Sequence, residues 1–133
     1  MQTYMPEPER IRELFILLLQ SPIQNFPTRG KLTENEVSCE KGVYIIYNPA
    51  GVVSHVGNTP RGREGICQRL NNHLQGSSSF SKKFLAQNHI SLRNGHSFRY
   101  LIVDSARDRV LLEALAIGGL CPEHIGTHEN VLQ

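Results

Sequence analysis

Residues 42–57 read GVYIIYNPAGVVSHVG. A run of β-branched and aromatic residues at 42–47 meets the turn chemistry of Asn48, Pro49, Ala50 and Gly51, and a second such run, VVSHV, follows. Two runs of this kind joined by a short Pro/Gly turn predict a β-hairpin. Beyond it lies a glycine-bearing loop, and then ICQRLNNHLQ places Ile66, Leu70 and Leu74 on one helical stripe that Gly76 and three serines end. A short helix is expected at 81–88, a turn at Asn94-Gly95 and a strand over SFRYLIVD. Ser105 and Asp108 make a capping-box-like start for a last helix, RDRVLLEALAIGG, which Gly118 and Gly119 should close. The order β-β-α-α-β-α predicts an α+β fold with a small three-stranded antiparallel sheet flanked by helices.

Upstream, EPERIRELFILLLQ sets Ile11, Leu14, Phe15 and Leu18 on one helix face before Pro22 closes the pattern. Leu17 and Leu19 widen that stripe, so this helical extension should pack onto the main domain or form a homodimer with a second copy of the chain. Residues 21–41 lose periodicity and read as a connector that covers part of the core. The expected organisation is a helix and connector over 1–36 and the main domain over 37–133. With 133 residues, 39% hydrophobic and 20% charged, the composition is that of one globular domain and excludes disordered, collagenous and coiled-coil classes. Three cysteines without a CxxC pair suggest free thiols in a reducing, cytoplasmic setting. The longest apolar run, 14–19, falls far short of the ~20 residues of a membrane span, and its flank mixes acids with arginines where an export signal would be basic.

The net charge of +2 conceals a basic middle. Between residues 58 and 112, nine cations (Arg61, Arg63, Arg69, Lys82, Lys83, Arg93, Arg99, Arg107 and Arg109) face only Glu64, Asp104 and Asp108. Such a segment is either a phosphate-tracking face for DNA, with Arg61, Arg63, Lys82 and Lys83 as contacts, or a solvated surface. Three other motifs fit less well. The loop at 57–64 lacks the Lys-Ser/Thr pair of a phosphate-cradling loop. Cys121, His124 and His128 have zinc-like spacing, with Cys39 as a conceivable fourth ligand, but read better as a tail cysteine with two exposed histidines. Cys67, beside Ile66 and Leu70, reads as a buried apolar residue.

The chemistry-bearing constellation is spread across the main domain. Tyr44 lies on the first strand and His55 on the second. Arg69 and His73 stand one helical turn apart, and Glu113 interrupts an apolar helix. Gly42-Val43-Tyr44, with His55-Val56-Gly57 eleven residues after Tyr44, resembles the paired tripeptides of the GIY-YIG nuclease superfamily. The segments QRLNNHL and LLEALAI, the latter followed by Cys121-Pro122, are similar to that family's Arg-bearing and Glu-bearing helices, so the resemblance covers about residues 41–133. It implies an endonuclease that hydrolyses DNA phosphodiesters to 5′-phosphate and 3′-hydroxyl ends with one Mg²⁺ or Mn²⁺ held by Glu113. It further implies that Arg69 binds the scissile phosphate, that Tyr44 relays a proton from the attacking water, and that His55 and His73 belong to the site. The Asn that often follows the family's last helix falls to Asn130, since Ile125 stands at the shorter spacing. Two departures are visible: His55 replaces the usual Tyr, as an imidazole able to exchange a proton near neutral pH, and Asn58 replaces the usual Lys. These departures motivate the alternative of a catalytically weak or inactive nucleic-acid-binding module.

Overall fold

The apolar run at 42–47 is an inner strand of a four-stranded antiparallel sheet in the computed structural model, which describes residues 4–59 and 65–126. The strands are β1 (Gln24–Asn25), β2 (Gly42–Tyr47), β3 (Val53–Asn58) and β4 (Ser97–Ile102), in the spatial order β1-β4-β2-β3. Both faces of β2 are covered, which explains why its sequence is continuously apolar instead of alternating. In the register, Tyr44 lies between Gly57 and Tyr100, and Ile46 between His55 and Phe98. Because side chains alternate along a strand, Tyr44, Ile46, His55, Gly57 and Phe98 share one face, while Val43, Ile45, Val56 and Asn58 share the other.

Each face has its own core. On the first, Tyr44, Ile46 and Phe98 pack with Ile66, Leu70, Phe80 and Leu85. These come from helix α2 (Ile66–Gln75) and a π-helical segment, Ser81–Leu85, together with its flank. The connector completes this layer with Phe26, Leu32 and Val37, and its Ser38 and Glu40 carbonyls accept the N–H groups of Cys67 and Ile66 that open α2. On the second face, Val43, Ile45 and Val56 pack with Ile11 and Leu18 of helix α1 (Glu7–Gln20) and with Leu112 and Ala116 of helix α3 (Ala106–Leu120).

The Ile11, Leu14, Phe15 and Leu18 face of α1 is therefore taken up by the same chain, while Leu17 and Leu19, expected to widen it, are exposed. Burying Ile11 and Leu18, 6% and 0% exposed, contributes about 1.5–3 kcal/mol each. The ion pairs between the helices, Arg107 with Glu7 and Arg10 with Asp108, add far less because they are exposed on at least one side.

Three local expectations are corrected. The sheet has a fourth strand, contributed by the connector; at two residues, β1 is too short to carry a periodicity. Helix α3 continues through Gly118 and Gly119 to Leu120 and ends at Cys121, whose φ is 49°. The helix expected at 81–88 is π-helical over Ser81–Leu85, with the Ala86 N–H bonded to the Ser81 carbonyl at 2.8 Å.

Candidate active site

Strand β3 is an edge of the sheet, so its alternation can address both layers at once: Gly57 and His55 look toward α2, Asn58 toward α3. Tyr44 sits opposite Gly57 and is fully buried. A Cβ at position 57 would lie 2.3 Å from the Tyr44 phenol oxygen, so glycine is what lets the ring cross β3. There the phenol oxygen meets His73 Nε2 at 2.5 Å. His73, in the last turn of α2, is 2% exposed, and its Nδ1 lies 2.6 Å from Ser78 Oγ.

His55 closes this cluster from the same face of the sheet. Its ring stacks on Phe80 with centroids 4.4 Å apart and stands 5.2 Å from the His73 ring and 6.1 Å from the Tyr44 ring. Its Nδ1 is 3.3 Å from the Nδ1 of His124. Burial drives the His55 pKa down from 6.5 to about 3, with His124 and Arg69 adding to the effect. His73 is held well below its usual range, again by burial first and by His55 and Arg69 next. Both rings are therefore neutral at physiological pH. An imidazole can in general exchange a proton near neutrality, but at position 55 burial beside Phe80, His73 and His124 favours the neutral ring.

Arg69 and Glu113 approach from the two layers. Arg69 lies one turn before His73 on α2, is partly exposed, and has a buried Nε without a hydrogen-bond partner among the described residues. Its charge acts on His55, on His73 and on Glu113 of α3. Burial raises the Glu113 pKa, while the Asn58 side chain and Arg69 pull it back, and Asn58 Nδ2 donates to Glu113 Oε1 at 2.8 Å. The residue that replaces the expected Lys is thus the direct partner of the carboxylate. Two layers of the fold, far apart in sequence, bring a phenol, an imidazole, a guanidinium and a carboxylate to one sheet edge.

The donor chemistry at Glu113 can be tested against a divalent cation. Glu113 offers a hard oxygen ligand, and among the described residues no three His, Cys, Asp or Glu side chains are grouped to hold a metal. One carboxylate suits a cation that keeps most of its waters, as Mg²⁺ and Mn²⁺ do. The zinc-spaced set is not assembled among the described residues. Cys121 is exposed, and His124, expected at the surface, is 6% exposed with its ring against His55, Phe80 and Phe84.

The basic segment is smaller than its sum suggests. Arg109 is buried and donates to the carbonyls of Val103 and Asp104 at 2.9 and 2.7 Å. Arg99 donates to the Leu19 carbonyl and lies over the Tyr47 ring, Arg107 pairs with Glu7, and Arg93 donates to the Pro27 carbonyl. Four of the nine cations thus serve the fold. Lys82 and Lys83 are exposed on the π-helical segment, directly after Ser81, whose hydroxyl bonds the His73 carbonyl. Arg61, Arg63, His128 and Asn130 lie outside the described residues.

Sequence reasoning missed Ser78, Phe80 and His124 around the histidines. Of these, Phe80 carried the one usable signal, an aromatic between serines and a helix. A cleft of about 600 Å³ lined by Lys31, Leu32, Glu34, Cys39, Cys67 and Asn71, among others, contains none of the constellation, so chemistry and not cavity size marks this site.

Among solved structures, the chain is similar to the GIY-YIG N-terminal endonuclease domain of UvrC from Thermotoga maritima, seen in two Tyr-to-Phe point mutants bound to its catalytic divalent cation. Each comparison gives 21% identity and a TM-score of 0.46, covering 90% of this chain and 97% or 96% of that domain. No family model matches the chain, and no curated protein does.

Proposed function

We propose that this chain is a divalent-metal-dependent endonuclease that hydrolyses DNA phosphodiester bonds at the β3 edge. The observation that carries the reading is the Tyr44–His73 hydrogen bond set beside Arg69, whose charge reaches Glu113 on the opposite layer. Hydrolysis requires that a water lose a proton as it bonds to phosphorus, that charge on the phosphoryl oxygens be stabilised, and that the P–O3′ bond break with a proton taken up by the leaving oxygen. Arg69 supplies a planar cation suited to bidentate contact with the phosphate. Tyr44, buried with its phenol against Gly57 of the edge strand, takes the proton from a water admitted at that edge as its own passes to His73. Glu113 would hold Mg²⁺ or Mn²⁺, which when bound stabilises charge at phosphorus and lowers the pKa of a coordinated water. Neutral His55, stacked on Phe80, keeps His73 in a dry, low-dielectric pocket. Lys82, Lys83, Arg61 and Arg63 are assigned to DNA phosphates, and Asn130 remains the assigned counterpart of the family's late Asn.

Three free thiols suit a cytoplasmic protein, and no helix among the described residues is long and apolar enough to cross a membrane. One observation favours the alternative, a nucleic-acid-binding module without turnover: the Asn58 amide already bonds the Glu113 carboxylate, whose burial favours the protonated form. Supercoiled, linear, branched and single-stranded DNA incubated with the purified protein, with Mg²⁺, Mn²⁺ or chelator, separates the two. Metal-dependent cutting supports the enzyme; binding without cutting under every condition supports the module.

A further inference from the structure

Ser78 and Ser81 lie between α2 and the π-helical segment, are each 4% exposed, and have no role in the constellation above. Their hydrogen bonds determine where one hydrogen of His73 must be. Ser81 Oγ bonds the carbonyl oxygen of His73, and a carbonyl can only accept, so the single hydroxyl hydrogen of Ser81 is committed there. The Ser78–Ser81 contact, 3.0 Å between hydroxyl oxygens, must then use the hydrogen of Ser78. Ser78 is left with lone pairs only. It accepts the Ser81 backbone N–H at 3.1 Å, and its remaining contact, His73 Nδ1 at 2.6 Å, requires that Nδ1 carry the hydrogen.

A neutral imidazole has one N–H, so Nε2 is a bare acceptor facing the Tyr44 hydroxyl. Burial keeps the ring neutral at physiological pH, so the assignment holds across the working range.

We propose that Ser78 and Ser81 are positioning residues that lock His73 in the Nδ1–H tautomer, so that its Nε2 accepts the hydrogen of Tyr44. The catalytic consequence rests on the nuclease reading. As Tyr44 gains a proton from the attacking water, its own moves to His73 Nε2, giving an imidazolium whose Nδ1–H still donates to Ser78. An oxygen–phosphorus bond forms, the P–O3′ bond breaks, O3′ takes a proton from solvent, and His73 returns its proton to solvent through Tyr44. With the other tautomer, Nε2 would already hold a hydrogen and could accept nothing from Tyr44. Among the described residues, Ser78 is the partner that holds the hydrogen on Nδ1.

The test is a long-range ¹H–¹⁵N correlation spectrum of the histidine-labelled full chain near pH 7. The His73 resonances are identified by their loss in His73→Gln. The expected result is a protonated-type Nδ1 and an unprotonated-type Nε2 in the parent, loss or mixing of that pattern in Ser78→Ala, and its return in Ser78→Thr. A protonated Nε2 in the parent, or an unaltered pattern in a folded Ser78→Ala variant, overturns the proposal. Turnover of Ser78→Ala on plasmid DNA with Mg²⁺ should fall about 100-fold in kcat with KM little changed, and Ser78→Thr should recover most of it. If the parent shows the expected tautomer and cuts no DNA with any metal, the nuclease reading fails while the lock stands.

Discussion

Replacing His55 by Phe should flatten the acid side of the stability profile, because burial holds this imidazole neutral in the folded protein. His55 is 8% exposed and titrates near 3 in the folded protein, against an ordinary 6.5. Below pH 6.5 the unfolded chain binds a proton at this residue and the folded chain does not, so acid favours unfolding. The stabilisation associated with the neutral ring is complete above pH 6.5 and is lost progressively as pH falls toward 3. Each pH unit in that window corresponds to about 1.4 kcal/mol. Between pH 7.5 and pH 5 the window spans roughly one and a half units, so His55 alone removes about 2 kcal/mol from the parent. Phe keeps an aromatic ring against Phe80 and carries no proton, whereas His73 and His124 remain in both proteins. Urea unfolding of parent and His55→Phe at pH 7.5, 6.5, 5.5 and 5 compares the two pH dependences whatever the variant's absolute stability, with His73 also relieved of the His55 charge in the variant. The parent should lose about 2 kcal/mol more than the variant over this range. Equal losses would show that His55 titrates normally, and the dry pocket assigned to it would not exist.

Gly57→Ala should destabilise the protein by about 1–3 kcal/mol, because the new Cβ falls 2.3 Å from the Tyr44 phenol oxygen. Unchanged denaturant midpoint and activity in that variant would show that the phenol does not depend on a bare backbone. Arg69→Ala should lower kcat/KM for plasmid cleavage by about 100-fold or more, as expected for loss of a cation at developing phosphoryl charge, and should also raise the His73 pKa. A variant that cuts at the parent rate would place the phosphate elsewhere. Neutralising Lys82 and Lys83 together to Gln should make the slope of log K against log salt for DNA binding shallower by up to roughly two units. An identical slope would mean that DNA does not run over the π-helical segment.

The parts of the fold that were legible in sequence are those with a local physical signature. The hairpin announced itself through two apolar runs around Pro49 and Gly51, and α2 through Ile66 and Leu70 with Gly76 in the left-handed conformation at its end, φ 86°. Ser105 accepts the Asp108 N–H as the capping pattern implied, at 3.2 Å. What escaped was set by contacts distant in sequence. β1 exists because Gln24 and Asn25 find Phe98 and Ser97 on β4. His124 is buried because the tail returns to the sheet edge, where its N–H bonds the Ser54 carbonyl at 2.9 Å and the Glu123 N–H bonds Val53 at 3.1 Å. The charge sum could not show that Arg109 is buried against two carbonyls or that Arg99 lies over Tyr47. Within the candidate site, tripeptide spacing pointed to Tyr44, but the reason for Gly57 and the serine chain behind His73 emerge only once the layers are assembled.

Hydrolysis of DNA at the β3 edge, with Glu113 proposed as the metal-holding carboxylate, is tested by nicking of supercoiled plasmid by the parent and by Glu113→Gln. The reaction is followed with Mg²⁺, with Mn²⁺ and with chelator, and DNA binding is measured alongside. Metal-dependent nicking by the parent, no nicking by Glu113→Gln, and near-parental DNA affinity in both are expected, because Gln keeps the shape and the Asn58 contact while losing the charge. Nicking by Glu113→Gln at the parent rate, or metal-independent nicking by both, would contradict it.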